Sequence, residues 1–240
     1  MKTVPALILG VALVIASLGA ATLVNQGLTD LRTGDRFVTV KGVAERNVEA
    51  DLAIWPIRFV ATGTTLAEAR QRTRASREAI MAFLKLQAID TAQVELSNLD
   101  VTDTRANPYP GQNTEQKFII NQTLMVRSDN IDRIRQAAQN IGDLLDSGVV
   151  LSSNYGPSGP TYLFNGLNDI KPAMIAEATA AAREAAQQFA RDASTELGGL
   201  RRANQGVFQI LPRDQAPGMS EEQQPDKTVR VVSTVEYYLQ

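Results

Sequence analysis

Val4 to Val24 contains no charged side chain, and no other feature restricts this chain so strongly. After Val4 the run reads PALILGVALVIASLGAATLV, behind a lone Lys2. A helix of about 20 apolar residues crosses the ~30 Å hydrocarbon core of a bilayer, so the length suits an uncleaved signal anchor. A secretory signal has a shorter apolar run, about 7–15 residues, and then a small-x-small cleavage site. Gly19-Ala20-Ala21 supplies small residues at that spacing, so a cleaved signal peptide is the alternative. Both readings put the rest of the chain outside the cytoplasm. Lys2 precedes the run, while Arg32 and Arg36 follow it beside Asp30 and Asp35, so the positive-inside bias is small. The long folded domain that follows favours the amino terminus inside.

The chain has no cysteine and no histidine. That excludes structural disulfides, thiol catalysis, a lipid-modified amino-terminal Cys, and the commonest general base and metal ligand. A net charge of −2 gives no bulk electrostatic reason to bind nucleic acid. The expected organisation is a leader over residues 1–24, a polar linker over 25–36 and one domain over 37–240.

Within that domain, Phe37 to Val43 reads as a strand, with Gly42 marking a bulge or a close backbone approach. Asn47 to Ala50 is expected to turn the chain. Leu52 to Thr62 follows as a strand with Ala53, Trp55, Ile57 and Phe59 on one face; Pro56 belongs on an edge or at a bulge. Thr65 and Glu68 have capping-box spacing ahead of a helix whose inner stripe is Leu66, Ala69, Thr73, Ser76, Ile80, Phe83 and Leu84. Arg70, Arg74 and Arg77 are placed on the opposite, solvated ridge, with Glu68–Arg72 as a supporting pair. An anionic lipid or nucleic-acid patch is the alternative for these arginines.

Gln93 to Thr104 is a strand that changes phase near Ser97-Asn98, and Lys117 to Arg127 is a strand with Phe118, Ile120, Leu124 and Val126 pointing one way. Ser128 or Asp129 caps a second helix, with Ile131, Ile134, Ala138, Ile141 and Leu145 inward. Short strands follow at Val149 to Ser152 and Tyr162 to Phe164. Asn168 or Asp169 caps a long Ala-rich helix, with Pro172 in its first turn and Gly198-Gly199 as its end. Ala178, Ala181, Ala182 and Ala185 give it a thin face, suited to close packing or to an oligomer contact. Val207 to Leu211 and Thr228 to Leu239 close the domain. The order predicts an α+β fold: a ferredoxin-like β-α-β-β-α-β core with an added N-terminal strand, then a C-terminal long helix plus two strands. The N-terminal transmembrane or signal helix precedes it.

Two blocks carry a family resemblance. VTVKGVAERNVEADLAIWPI resembles the opening hairpin of the SIMPL-domain family, with Val40, Gly42, Asp51 and Ala53 at the Val-x-Gly and Asp-x-Ala positions. Ala50 replaces the usual Pro before that Asp. LNDIKPAMIAEATAAAREAAQQFARDASTELGG resembles the family's late helix, with Ala178, Ala182, Ala185, Ala190, Leu197 and Gly198 in place. Gln87-Ala88 stands where the family commonly has Gly after the first helix. The resemblance implies a bacterial protein of the periplasm or envelope, in a family that includes immunogenic and oxidative-stress-defence proteins and some oligomers. It implies no catalytic residue.

No catalytic constellation is legible. Asp100 with Asp103, and Glu221 with Glu222, are the clustered acids, and solvated positions are the expectation for them. Tyr109, Tyr155 and Tyr162 lie in or near Pro/Gly loops and are the candidate partner-binding residues, or else covers of a sheet edge. The expected function is a non-enzymatic envelope protein without cofactor or metal. It is a single-pass inner-membrane protein facing the periplasm, or a soluble periplasmic one after cleavage, and it forms homo-oligomers. A small-ligand or peptide-binding module is the alternative, and a carboxylate hydrolase the remote one.

Overall fold

The structure, a computed structural model, describes residues 36–106, 117–152 and 159–240. The leader Val4–Val24, most of the linker, Tyr109 and Tyr155 lie outside the described residues. Among the described residues no helix is long and apolar enough to cross a membrane.

The fold is α+β with two antiparallel sheets. In one, β1 (Phe37–Glu49) neighbours β9 (Asp226–Leu239), which neighbours β7 (Leu197–Gln205), and β8 (Gln209–Pro212) also pairs with β9. The other has the order β3 (Val94–Asp103), β4 (Phe118–Ser128), β2 (Leu52–Gly63), β5 (Val150–Leu151), with β6 (Thr161–Leu163) also on β2. The helices among the described residues are α1 (Leu66–Leu86), α2 (Ile131–Gln139), α3 (Gly142–Asp146) and α4 (Leu167–Asp192). By contacts the described residues form two compact units, one of residues 36–45, 172–208 and 230–240, the other of 46–106, 117–152, 159–171 and 209–229.

The first unit rests on small residues. Met174, Ala178, Ala182, Ala186 and Ala190 recur every fourth residue of α4 and are all buried. Ala182 and Ala186 share a core with Val40, Val235 and Tyr237. At Gly42 the backbone of α4 comes close: a Cβ there would lie 1.8 Å from the Ala178 carbonyl oxygen and 2.4 Å from the Ala182 nitrogen. Of the two readings of Gly42, close backbone approach is therefore the one observed. Gly198-Gly199 does not end α4. The helix closes at Ser194, in the left-handed region at φ 54°, where Thr195 N–H bonds the Ala190 carbonyl at 2.9 Å. The glycines belong to β7, so three strands follow the helix, not two. The polar sequence LGGLRRANQ has no apolar alternation, and its register against β9 shifts twice.

In the second unit, β2 supplies the core. Ala53, Trp55, Ile57 and Phe59 are essentially inaccessible and pack with Leu124 and Val126 of β4, Ile80 and Leu84 of α1, and Ile134 of α2. The larger aliphatic and aromatic side chains among them each gain about 1.5–3 kcal/mol from leaving water. Pro56 falls between the residues that β6 and β5 pair, 52–54 and 59–60. Arg58 turns its carbonyl to Ser152, on the β5 side, and alternation turns residue 56 the same way. The missing donor thus faces a gap in the sheet, the internal equivalent of an edge.

Several local expectations shift. The first turn comes at Ala50-Asp51, because β1 runs on to Glu49. Thr65 caps α1 by accepting from Glu68 N–H at 3.2 Å, but the Glu68 carboxylate reaches Thr64, accepting from its N–H at 2.9 Å and its hydroxyl at 2.7 Å. Leu66 is exposed. Asn130, not Ser128 or Asp129, caps α2. The helical run then breaks at Asn140-Ile141, and the new phase buries Leu144 and leaves Leu145 exposed. At α4, the Asp51 carboxylate accepts from Asn165 N–H at 2.8 Å, Asn165 Nδ2 at 2.8 Å and Gly166 N–H at 2.9 Å. That capture starts the helix at Leu167, so Asn168 and Asp169 lie inside its first turn and Pro172 in its second.

Candidate functional site

The site is built from α1, β3 and β4. The register pairs Leu96 with Leu124, Leu99 with Gln122 and Val101 with Ile120. Opposed residues of an antiparallel pair share a face. The irregularity between Leu96 and Asn98 absorbs one residue and holds Leu96, Leu99 and Val101 on the face that buries Ile120 and Leu124. The expected phase change at Ser97-Asn98 is thus observed, and it decides what the strand presents. β3 is the outermost strand of its sheet, and α1 packs over β2 and β4. Leu96, Leu99 and Val101 are therefore 52%, 54% and 48% exposed on what would otherwise be the core face.

The opposite wall is α1. Arg70, Arg74 and Arg77 do not occupy a ridge facing away from the sheet. With Thr73 and Leu66 they line a groove of about 530 Å³ whose other side is Leu96, Leu99, Val101, Ile120 and Gln122. Thr73 lies within the stripe 70-73-74-77 and is buried, its hydroxyl donating to the Ala69 carbonyl at 2.8 Å. A buried residue inside that spacing was the sequence signal that the arginines flank the inner face. Among the described residues none of the three has an ion-pair partner. Arg72, on the other flank, is bonded to Glu68 at 2.6 Å and to the Thr62 carbonyl at 3.1 Å. Thr64 and Arg72 together hold the Glu68 carboxyl below its ordinary pKa, the Thr64 bonds contributing most.

Gln122 completes the floor. It is 6% exposed, and its Oε1 is buried with no hydrogen-bond partner. A buried acceptor left unmade costs about 1–3 kcal/mol. No sequence signal marked it, because a glutamine within the inward alternation of Ile120 and Leu124 looks like a lapse in the pattern.

Of the predicted partner-binding residues, only Tyr162 lies among the described residues. Tyr162 is 5% exposed and belongs to the core of the second unit. Burial raises its phenol pKa, and the charge of Arg135 opposes the shift. It also borders a separate cavity of about 530 Å³, together with Arg135, Gln139 and Glu222. Of the clustered acids, Asp103 and Glu221 have local partners. Asp103 accepts from Arg105 Nη2 at 2.7 Å and Nε at 2.9 Å, and these bonds take its pKa down to about 2. Glu221 neutralises the buried ammonium of Lys227, which also donates to the Glu221 carbonyl at 2.7 Å. Among the described residues no three acids stand close enough to hold a metal ion.

A protein-family model named SIMPL, described as a protein of unknown function (DUF541), matches residues 38–237. No curated protein matches the chain.

Proposed function

The chain belongs to the SIMPL family, and from that premise we propose a non-enzymatic cell-envelope protein, tethered by its amino-terminal segment, with its domain on the periplasmic side. One observation carries this reading: an uncharged run of membrane-spanning length, Val4 to Val24, lies a short polar linker ahead of the family domain. The absence of His and Cys supports a binding or structural role over catalysis. The strand order β3-β4-β2-β5, with β3–β4, β4–β2 and β2–β5 each antiparallel, supports a ferredoxin-like core. The outer edge of β3, unpaired among the described residues, supports self-association. A role in envelope or oxidative stress tolerance follows the family resemblance.

Protease added to spheroplasts tests the compartment. The domain is digested while a cytoplasmic marker survives; a protected domain refutes the reading. Cross-linking of the extracted protein tests assembly, and monomer alone removes that part.

A second reading, a small-ligand module, is favoured by the groove between α1 and β3. Its volume falls within the range of about 300–1,000 Å³ usual for small-molecule sites. Its β3 wall is apolar, and the arginines of α1 with Thr73 and Gln122 supply convergent polar groups.

A further inference from the structure

We propose that this groove binds a single-chain amphiphile with an anionic head, a carboxylate or a phosphate. The inference rests on the small-ligand reading and is independent of the compartment.

Three observations bear on it. First, Leu66, Leu96, Leu99 and Val101 are each between 42% and 54% exposed and converge on one groove. An apolar chain laid along β3 would remove their surface from water at about 25 cal/mol per Å². Second, Arg70, Arg74 and Arg77 recur at i, i+4 and i+7 along one wall. Three guanidiniums free of partners among the described residues, beside apolar surface, match a head group that is both anionic and attached to hydrocarbon. Arginine suits either head, since its fork of donors fits carboxylate and phosphate alike. Third, Gln122 Oε1 is buried and unsatisfied in a residue that lines the same groove. Its terminal torsion is broad, so the amide can offer Oε1 to a hydroxyl or Nε2 to an anionic oxygen.

The cationic wall also discriminates between occupants. A second copy docked through the same groove about a two-fold axis would bring both arginine sets together. A neutral hydrocarbon would leave the arginines unused, and a water-soluble anion would leave the leucines exposed. Only a molecule with both characters uses the whole groove.

The test uses the full chain, in whichever fraction it is recovered, and a laurate analogue carrying a terminal diazirine. After photolysis, peptide mass spectrometry maps the adducts. Labelling is expected on α1 and β3 peptides, competed by laurate or dodecyl phosphate and not by dodecyltrimethylammonium. Whichever competitor acts at lower concentration identifies the head. Replacing all three arginines (Arg70→Gln, Arg74→Gln, Arg77→Gln) is expected to weaken labelling at least about tenfold, three weak charge pairs together reaching that factor. These residues are exposed, so the variant retains its far-UV circular dichroism and its melting temperature. Gln122→Leu gives a second measure, lowering labelling while leaving an apolar floor. Labelling elsewhere, or labelling insensitive to head-group charge, overturns the proposal. If soluble anions or acidic peptides raise the melting temperature where the amphiphile does not, this ligand class falls while the ligand-binding reading stands.

Discussion

Replacing Gly42 by alanine tests how α4 is held on β1. The added methyl would meet the Ala178 oxygen at 1.8 Å, which is 1.6 Å short of the 3.4 Å at which ordinary contact begins. The next atom, Ala182 N, is 2.4 Å away. In a helix the Ala178 carbonyl accepts from the Ala182 amide, so the methyl would wedge into that hydrogen bond. Neither atom is the movable end of a side chain. Relief requires displacing α4 from the core that Ala182 and Ala186 share with Val40, Val235 and Tyr237. Overpacking costs about 1–3 kcal/mol and a broken buried backbone bond about 1–3 more, so a loss of roughly 3–5 kcal/mol is expected. Against a typical stability of about 5–15 kcal/mol that is severe. Urea denaturation followed by far-UV circular dichroism measures it. Gly199→Ala is the control: its Cβ meets nothing within 4 Å, and a change within about 0.5 kcal/mol is expected. Adding Ala182→Gly discriminates further. It removes a methyl only 2.9 Å from the new Cβ but leaves both backbone clashes, so it rescues nothing. A loss below about 1 kcal/mol in Gly42→Ala, or rescue by Ala182→Gly, refutes backbone-on-backbone contact.

Ala88 ends α1 at φ 56°, a region that costs an L-residue about 1–2 kcal/mol. Ala88→Gly relieves that strain and loosens the unfolded chain, so a net gain of about 0.5–1 kcal/mol is expected in urea melts. Asp51→Ala removes every acceptor for the Asn165 and Gly166 amides; a loss of about 1–3 kcal/mol is expected, smaller for Asp51→Asn, which keeps one acceptor. The pKa of Asp103 is depressed to about 2 from 3.8, so its contribution to stability is complete above pH 4 and is lost as pH falls through 2. In Arg105→Gln the Asp103 titration followed by NMR moves up toward the ordinary value. Lys227 is fully buried against Glu221, so Glu221→Gln leaves an uncompensated ammonium and costs about 3 kcal/mol, while Lys227→Met costs less. Equal losses in thermal melts would contradict that ordering.

Much of the architecture was legible because alternation and helical spacing are local properties. Ala53, Trp55, Ile57 and Phe59 announced the buried face of β2, and Ile80 and Leu84 that of α1. The break at Ser97-Asn98 was visible as a change of phase. β7 was not legible, since LGGLRRANQ alternates nothing and is ordered by pairing with β9. The end of α4 departs from the expected Gly198-Gly199 for a related reason. Ala88 and Ser194 take left-handed positions that glycine usually marks, and they do so under tertiary constraint, as where Arg133 donates to the Ala88 carbonyl at 2.8 Å.

By itself the sequence determined an uncharged apolar run from Val4 to Val24, an α+β order of elements, the absence of His and Cys, and a motif at Val40, Gly42, Asp51 and Ala53. Only the tertiary structure decided what that motif does. Gly42 admits a helix backbone, and Asp51 holds amides 114 and 115 residues away. It also decided that three arginines, ordinary surface residues by helical spacing, face an uncovered apolar strand. The physical reason is reach. Periodicity records which face of an element is apolar, whereas a groove exists only where the next element stops short of covering that face.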